Sequence, residues 1–298
     1  MTRTKPFQDE FSSNKLAIWI QALRPRTLPA ALGPILLGQA LVLPSHFSWL
    51  TACLCLVSAL ALQLAVNLAN DLFDGLSGVD QHDRLGPARA LQSGLLGVSE
   101  LRIGLLLMLG IALVTGVWLA TFGHWLLWVF GGLALLGVLG YSGGRRPYAN
   151  LGLGEVAVWL FFGPVAVLGS LLAQQSPVNE RAIISALLMG LPVAAILVVN
   201  NLRDRFTDAR AGKRTLAVRL GPRANRWLFS FLTLAPWIVS LPLTTDVWRW
   251  AVWGCLGLIG VGLNVVFWQR DGAALNPVLG KAALYSLAIA VWLILRFA

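Results

Sequence analysis

The sequence predicts an all-α polytopic membrane protein: nine transmembrane helices bundled around a central cavity, with cap loops on the inner face. Three observations predict it. Of the 298 residues, 57% are hydrophobic and only 12% are charged, and the mean hydropathy is +0.73; a water-soluble domain carries about 25% charged residues. The apolar residues gather in runs close to the roughly 20 residues that a helix needs to cross a bilayer. Those runs lack two-residue alternation, and a backbone in lipid has to satisfy its own hydrogen bonds, which leaves helices.

Residues 15–23 (KLAIWIQAL) read as a short interfacial helix leading into the first span at 28–44. Asp9 and Glu10 ahead of it, and the lack of a small-residue cleavage site, argue against a cleaved signal. The other spans are expected at 50–70, 103–121, 125–141, 153–173, 182–200, 227–243, 248–267 and 282–297. The loops alternate in character. Those at 44–49, 122–124, 174–181 and 244–249 are short; those at 71–102 and 201–226 are long and polar. With the N-terminus inside, all 23 Lys and Arg except Arg181, Arg249 and Arg296 fall on the inner side. The positive-inside rule therefore puts the N-terminus and the long loops in the cytoplasm and the C-terminus outside, in a cytoplasmic (inner) membrane. The net charge of +10 reports topology: the basic residues flank spans instead of forming one soluble patch, so no nucleic-acid partner is expected. Trp49, Trp125, Trp128, Trp248 and Trp250 fall where an outer aromatic belt would lie. Cys53, Cys55 and Cys255 lie within spans and read as small apolar fillers.

Two polar clusters interrupt this pattern, both at inner span ends. The first reads Asn67-Leu-Ala-Asn70-Asp71-Leu-Phe-Asp74, and the second Asn200-Asn-Leu-Arg203-Asp204-Arg-Phe-Thr-Asp208. At helical spacing Asn67, Asp71 and Asp74 share one face, and so do Asn200, Asp204 and Asp208. The second-span and sixth-span helices run the same way, so the chain is expected to be one domain over 1–298, built of four-helix repeats at about 15–150 and 151–268 plus a ninth helix, with a site at the repeat interface. Carboxylates near a helix C-terminus oppose the macrodipole, which a simple capping role does not explain. Four converging carboxylates repel one another and ask for cations. Oxygen ligands suit Mg²⁺, which takes one or two carboxylates together with phosphate oxygens. Basic residues able to balance a diphosphate stand nearby: Arg203, Arg205, Arg210, Lys213, Arg214 and Arg219 in one loop, Arg84 and Arg89 in the other, and Arg145-Arg146 after the fourth span.

These segments resemble the UbiA superfamily of intramembrane aromatic prenyltransferases, and within it the branch acting on 1,4-dihydroxy-2-naphthoate. The matching stretches are LRPRTLP at 23–29, NLAND at 67–71, DRLGP at 83–87, RPY at 146–148, GLG at 152–154, NNLRD at 200–204 and GKRTLAVRLG at 212–221. They cover about residues 20–225; the last third is similar only in hydropathy. Glu155 stands where Asp is expected, with the charge kept. The resemblance implies Mg²⁺ held by Asp71, Asp74, Asp204 and Asp208, with Asn67 and Asn200 orienting or joining the ligands. The bound polyprenyl diphosphate would form an allylic carbocation, which the ring of dihydroxynaphthoate attacks with loss of CO₂ to give a demethylmenaquinol. Tyr141 would present its ring face to that cation. Arg24, Asn70, Arg145, Arg146, Arg203, Lys213 and Arg214 are expected at the substrate. Asp80, Asp83 and Arg84 are expected in a loop that closes over it, with Gly75, Gly78 and Gly86 lending mobility. Competing readings are another aromatic acceptor, such as 4-hydroxybenzoate, and a transporter; transporter sites lie near the midplane, whereas these clusters lie at span ends.

Overall fold

The computed structural model describes residues 15–76, 85–86, 89–144, 147–242 and 245–298, and among them there is no strand. The helices are α1 (Lys15–Leu23), α2 (Leu28–Ala40), α3 (Trp49–Leu76), α4 (Val98–Phe122), α5 (Leu126–Ser142), α6 (Gly154–Leu160), α7 (Ala166–Ala173), α8 (Glu180–Arg203), α9 (Arg205–Arg210), α10 (Leu216–Val239), α11 (Val247–Trp268) and α12 (Asn276–Phe297). A π-helical turn, Phe161–Val165, joins α6 to α7. Pro164 inside that turn has no N–H to give the preceding turn, and the helix absorbs the defect by widening there.

Among the described residues, six segments are long and apolar enough to cross a membrane: Trp49–Leu76, Val98–Phe122, Gly154–Ala173, Glu180–Arg203, Val247–Trp268 and Gly272–Phe297. The apolar helix Leu126–Ser142 is shorter. The chain is therefore a multi-pass membrane protein. Two expected spans differ from the sequence reading for physical reasons. The run at 28–44 is helical only over Leu28–Ala40, because Leu43, ahead of Pro44, adopts an extended conformation. The span expected at 227–243 begins at Leu216, kinks at Gly221 (φ 76°) before Pro222, and carries Arg219, Arg223 and Arg226 in its first half.

Of three apolar cores among the described residues, the two larger hold most of the bundle. One centres on α8, which packs against α10, α12 and α6 and joins Val193, Val198, Phe229, Phe267 and Ile289. The apolar window of α8 is 67% buried, against 22% for α3, so α8 is the central helix. The other core joins α3 to α4 and α1 through Ala65, Leu68, Leu101 and Ile18. Trp49, Trp125, Trp128, Trp248 and Trp250 are exposed, at helix starts on the face opposite the two clusters, as an aromatic belt requires.

Close helix approach in lipid depends on small residues. A Cβ at Gly190 would stand 2.3 Å from the Trp159 carbonyl oxygen, and one at Gly163 would stand 2.5 Å from that of Ala186. Gly190→Val is accordingly expected to force α8 away from the π turn and cost about 1–3 kcal/mol of stability. Thermal unfolding in detergent checks this; an unchanged melting temperature would show that the contact is not tight.

Candidate functional site

The first cluster lies on one face of α3, which runs on past the expected span end to Leu76. Asn67 donates through Nδ2 to the Leu23 carbonyl at 2.8 Å and to Thr27 Oγ1 at 3.0 Å. Gln63 Nε2 donates to the same hydroxyl at 3.1 Å, and Thr27 Oγ1 donates to the Arg24 carbonyl at 2.9 Å. Those bonds fix the turn between α1 and α2, in which Arg24 adopts a left-handed conformation (φ 52°, ψ 64°). A left-handed non-glycine residue costs on the order of 1–3 kcal/mol and persists only where its surroundings impose it. Here Asn67 and Gln63 impose it.

Asp71 is 1% exposed and accepts the backbone N–H of Ala90 at 3.0 Å and of Leu91 at 3.2 Å. It therefore anchors the turn that returns the chain to α4. One helical turn on, Asp74 pairs with the buried Arg89 at 2.5 Å. Asn70 accepts at Oδ1 from Ser142 of α5, at 2.6 Å.

The second cluster ends α8. The helix breaks at Asp204 (φ −91°, ψ 5°), yet the Asp208 N–H still reaches the Asp204 carbonyl at 2.8 Å, so both carboxylates lie about one turn apart. Asp204 accepts two bonds from the neighbouring Arg203, from Nε at 2.8 Å and from Nη2. Lys213 stands between the clusters, its Nζ 3.7 Å from Asp74 and 3.8 Å from Asp208. Gly212, at φ 75°, makes the turn that sends Lys213 back across α9, and the Lys213 N–H donates to the Asp208 carbonyl.

Two cavities meet here. A polar one of about 80 Å³ is lined by Arg24, Asp74, Arg89, Asp204, Asp208 and Lys213, among others. A largely apolar one of about 1100 Å³ runs between the two cores, from Asn67 and Asp71 to Cys55 and Ala173. Arg24, Asn70, Tyr141 and Asn200 line both, so they form the junction. The ring of Tyr141 meets that of Tyr148 edge-on at 5.5 Å. Tyr148 donates to the Gly137 carbonyl at 2.8 Å, and burial pushes its hydroxyl up to about 12, so it stays a donor. Glu155 is buried and accepts from Asn201, which lines the polar cavity, at 2.9 Å.

Among the described residues no three acidic, His or Cys side chains converge as a metal cage. The donors instead ring a cavity in which a lysine ammonium already lies near two carboxylates. That set does not suit a metal held by protein alone. It does suit Mg²⁺ ions that take one or two carboxylates each and fill their shells with phosphate oxygens.

The structure brings together Arg24, Asn67, Asn70, Asp71, Asp74, Tyr141, Asn200, Asp204, Asp208 and Lys213. Two expected substrate contacts have surroundings that the sequence does not show. Arg203 lines the large cavity but is 1% exposed, with its guanidinium bonded to Asp204, Asn200 and Asn276. Arg214 is exposed and lines neither cavity. Asn200, expected at a metal, presents its amide oxygen to Arg203 at 2.8 Å. Asp80, Asp83, Arg84, Arg145 and Arg146 lie outside the described residues. Arg89, one of the basic residues able to balance a diphosphate, lines the polar cavity, and Tyr148, Asn201 and Asn276 join the site without a sequence signal that places them there. No local pattern marks Asn276.

The profile of the UbiA prenyltransferase family matches residues 31–294. The chain is 36% identical over 277 residues to 1,4-dihydroxy-2-naphthoate octaprenyltransferase of Escherichia coli (strain K12), covering 88% of this chain and 89% of that one. It is 37% identical over 290 residues to the enzyme of the same name from Mycobacterium tuberculosis, covering 93% and 94%. Among solved structures, a UbiA homolog from Archaeoglobus fulgidus bound to GPP and Mg²⁺ superposes with a TM-score of 0.62 at 18% identity, covering 93% of this chain and 99% of that one. The apo structure of a UbiA homolog from Aeropyrum pernix K1 gives 0.63 at 17% identity, covering 92% and 97%.

Proposed function

The chain belongs to the UbiA prenyltransferase family, and on that premise we propose that it transfers a polyprenyl group from a polyprenyl diphosphate to 1,4-dihydroxy-2-naphthoate, with loss of CO₂, to give a demethylmenaquinol. The observation that carries this reading is the junction of a small charged cavity with a large apolar one. An amphiphile with a diphosphate head and a hydrocarbon tail matches that pair of compartments. The proposal extends to one domain over 1–298 with nine crossings and two four-helix repeats, lying in the cytoplasmic membrane with the clusters on the cytoplasmic side.

Asp71, Asp74, Asp204 and Asp208 would hold Mg²⁺, with Asn67 and Asn200 orienting the surroundings. When bound, Mg²⁺ offsets the charge that grows on the departing diphosphate. Arg24, Arg89 and Lys213 point fixed positive charge into the same cavity and need no reorganisation as the leaving group departs. The C1–O bond of the prenyl group breaks at the junction, where Tyr141 offers a ring face to the allylic cation. The apolar wall beyond keeps water from that cation and holds the tail. The electron-rich ring then forms the C–C bond, and its carboxylate leaves as CO₂ as aromaticity returns.

The test is purified protein with Mg²⁺, farnesyl or geranylgeranyl diphosphate, and either dihydroxynaphthoate or 4-hydroxybenzoate. Prenylated product and CO₂ from dihydroxynaphthoate are expected; their absence sinks the acceptor assignment. Lys213→Ala is expected to lower turnover roughly tenfold or more, the scale of one charge-assisted hydrogen bond. Arg214→Ala is expected to stay within about twofold, as surface substitutions do. Equal losses in the two variants would contradict the placement of Lys213.

A further inference from the structure

The last third of the chain carries no charged cluster and no motif, yet α12 opens onto the site. Asn276, its first residue, lines the large cavity beside Arg203. Its Oδ1 accepts from Arg203 Nη1 at 3.0 Å, and its Nδ2 donates to the Leu85 carbonyl at 2.9 Å. The two bonds fix the amide in one orientation: the nitrogen needs an acceptor and the oxygen a donor, and each has one. Arg203 is held on its other sides by Asn200 Oδ1 and by both carboxylate oxygens of Asp204. Gly86 closes the remaining side, where a Cβ would stand 2.7 Å from Nη2. The guanidinium is thus a buried planar plate whose orientation is set from three directions, and the plane of the Asp204 carboxylate follows from it.

We propose that Asn276 is a positioning residue for the metal-bearing end of α8: it holds the Arg203 plate, and through it sets which lone pairs of Asp204 face the polar cavity. The inference rests on the reading of Asp204 as a ligand of a Mg²⁺–diphosphate complex. Each carboxylate oxygen has two lone pairs, and Arg203 occupies one on each, so the rest are aimed by the plate. Freed from Asn276, Arg203 can turn about its long side chain and carry Asp204 with it. A supporting residue of this kind typically changes metal affinity by about 10–100-fold. The C-terminal helix then contributes to the site without touching substrate.

The experiment measures Mg²⁺-dependent binding of a non-hydrolysable farnesyl diphosphate analogue by thermal shift in detergent, alongside turnover, for the wild type, Asn276→Leu and Asn276→Asp. Leu keeps the volume and removes both hydrogen bonds. Asp keeps and charges the acceptor toward Arg203, but sets an oxygen without a proton against the Leu85 carbonyl. Asn276→Leu is expected to raise the Mg²⁺ concentration for half-maximal binding about tenfold or more, with turnover shifted alike. Asn276→Asp is expected to be less impaired than Asn276→Leu, because the charged acceptor still holds Arg203. The inference is overturned if Asn276→Leu keeps wild-type Mg²⁺ dependence, or if Asn276→Asp is as impaired as Asn276→Leu. Should Asn276→Leu not insert, Asn276→Ser takes its place with the same expectation. A wild type that shows no Mg²⁺-dependent binding of the analogue sinks the reading of the site itself, a result distinct from a variant that behaves as wild type does.

Discussion

Asp208→Asn is expected to lower prenyl transfer roughly 10²–10³-fold, the scale of losing one preorganised electrostatic contact to the reacting group, and to cost less stability than Asp204→Ala because the amide keeps the shape and an acceptor oxygen of the side chain. Asp204→Ala is expected to lose both activity and stability. The difference lies in what each carboxylate does for the protein. Lys213 stands 3.8 Å from Asp208 and 3.7 Å from Asp74, so it keeps a carboxylate partner when Asp208 becomes an amide. Arg203 is 1% exposed and bound to both oxygens of Asp204. Removing Asp204 leaves a buried guanidinium without its counter-charge, which costs about 3–5 kcal/mol. Thermal unfolding and product formation, measured on both variants in the same detergent, separate the two roles. Full activity in Asp208→Asn would remove that residue from the site. An unchanged melting temperature in Asp204→Ala would show that the Arg203 pair does not hold the end of α8.

Much of this site is legible in the chain because lipid punishes irregularity. A carboxylate at the end of an apolar run is conspicuous, and spacings of three and four put Asn67, Asp71 and Asp74 on one face of any helix that carries them. The same logic carries the second cluster across the break at Asp204, since the α9 turn continues the helical repeat. Long-range partners are not legible. Asn276 meets Arg203 across 73 residues, and nothing local marks it. From the sequence Arg203, a basic residue beside a conspicuous acidic one, reads as a phosphate contact; its burial and its bonds to Asp204, Asn200 and Asn276 show where its hydrogen bonds go. The strain at Arg24 is hidden for a related reason. The residue before Pro25 is biased toward extended backbone, and the left-handed turn is imposed by Asn67 and Gln63, some forty residues on. Span counting fails where composition and geometry part: α2 is apolar but short, and α10 is long but starts among arginines.

Removing divalent cations is expected to abolish turnover, and Mg²⁺ to restore it. The argument is a charge count over one cavity. The titratable side chains lining it are three carboxylates, Asp74, Asp204 and Asp208, and three cations, Arg24, Arg89 and Lys213, apart from Tyr141. Three negative and three positive charges cancel, and Asp71 on the adjoining cavity adds a fourth carboxylate, so the protein alone offers a diphosphate no net attraction. Two divalent ions would add four positive charges, enough to offset a diphosphate carrying about three negative ones in a site of low dielectric. Lys213 shows where positive charge is welcome, since its ammonium stands between Asp74 and Asp208. Chelation with EDTA is therefore expected to suppress binding of the diphosphate analogue as well as product formation, and a Mg²⁺ titration is expected to recover both over the same concentration range. Turnover that persists in chelated protein would leave the carboxylates without a metal to hold. Binding that persists while turnover stops would place the metal in the chemical step alone and leave Arg24, Arg89 and Lys213 as the diphosphate's principal partners.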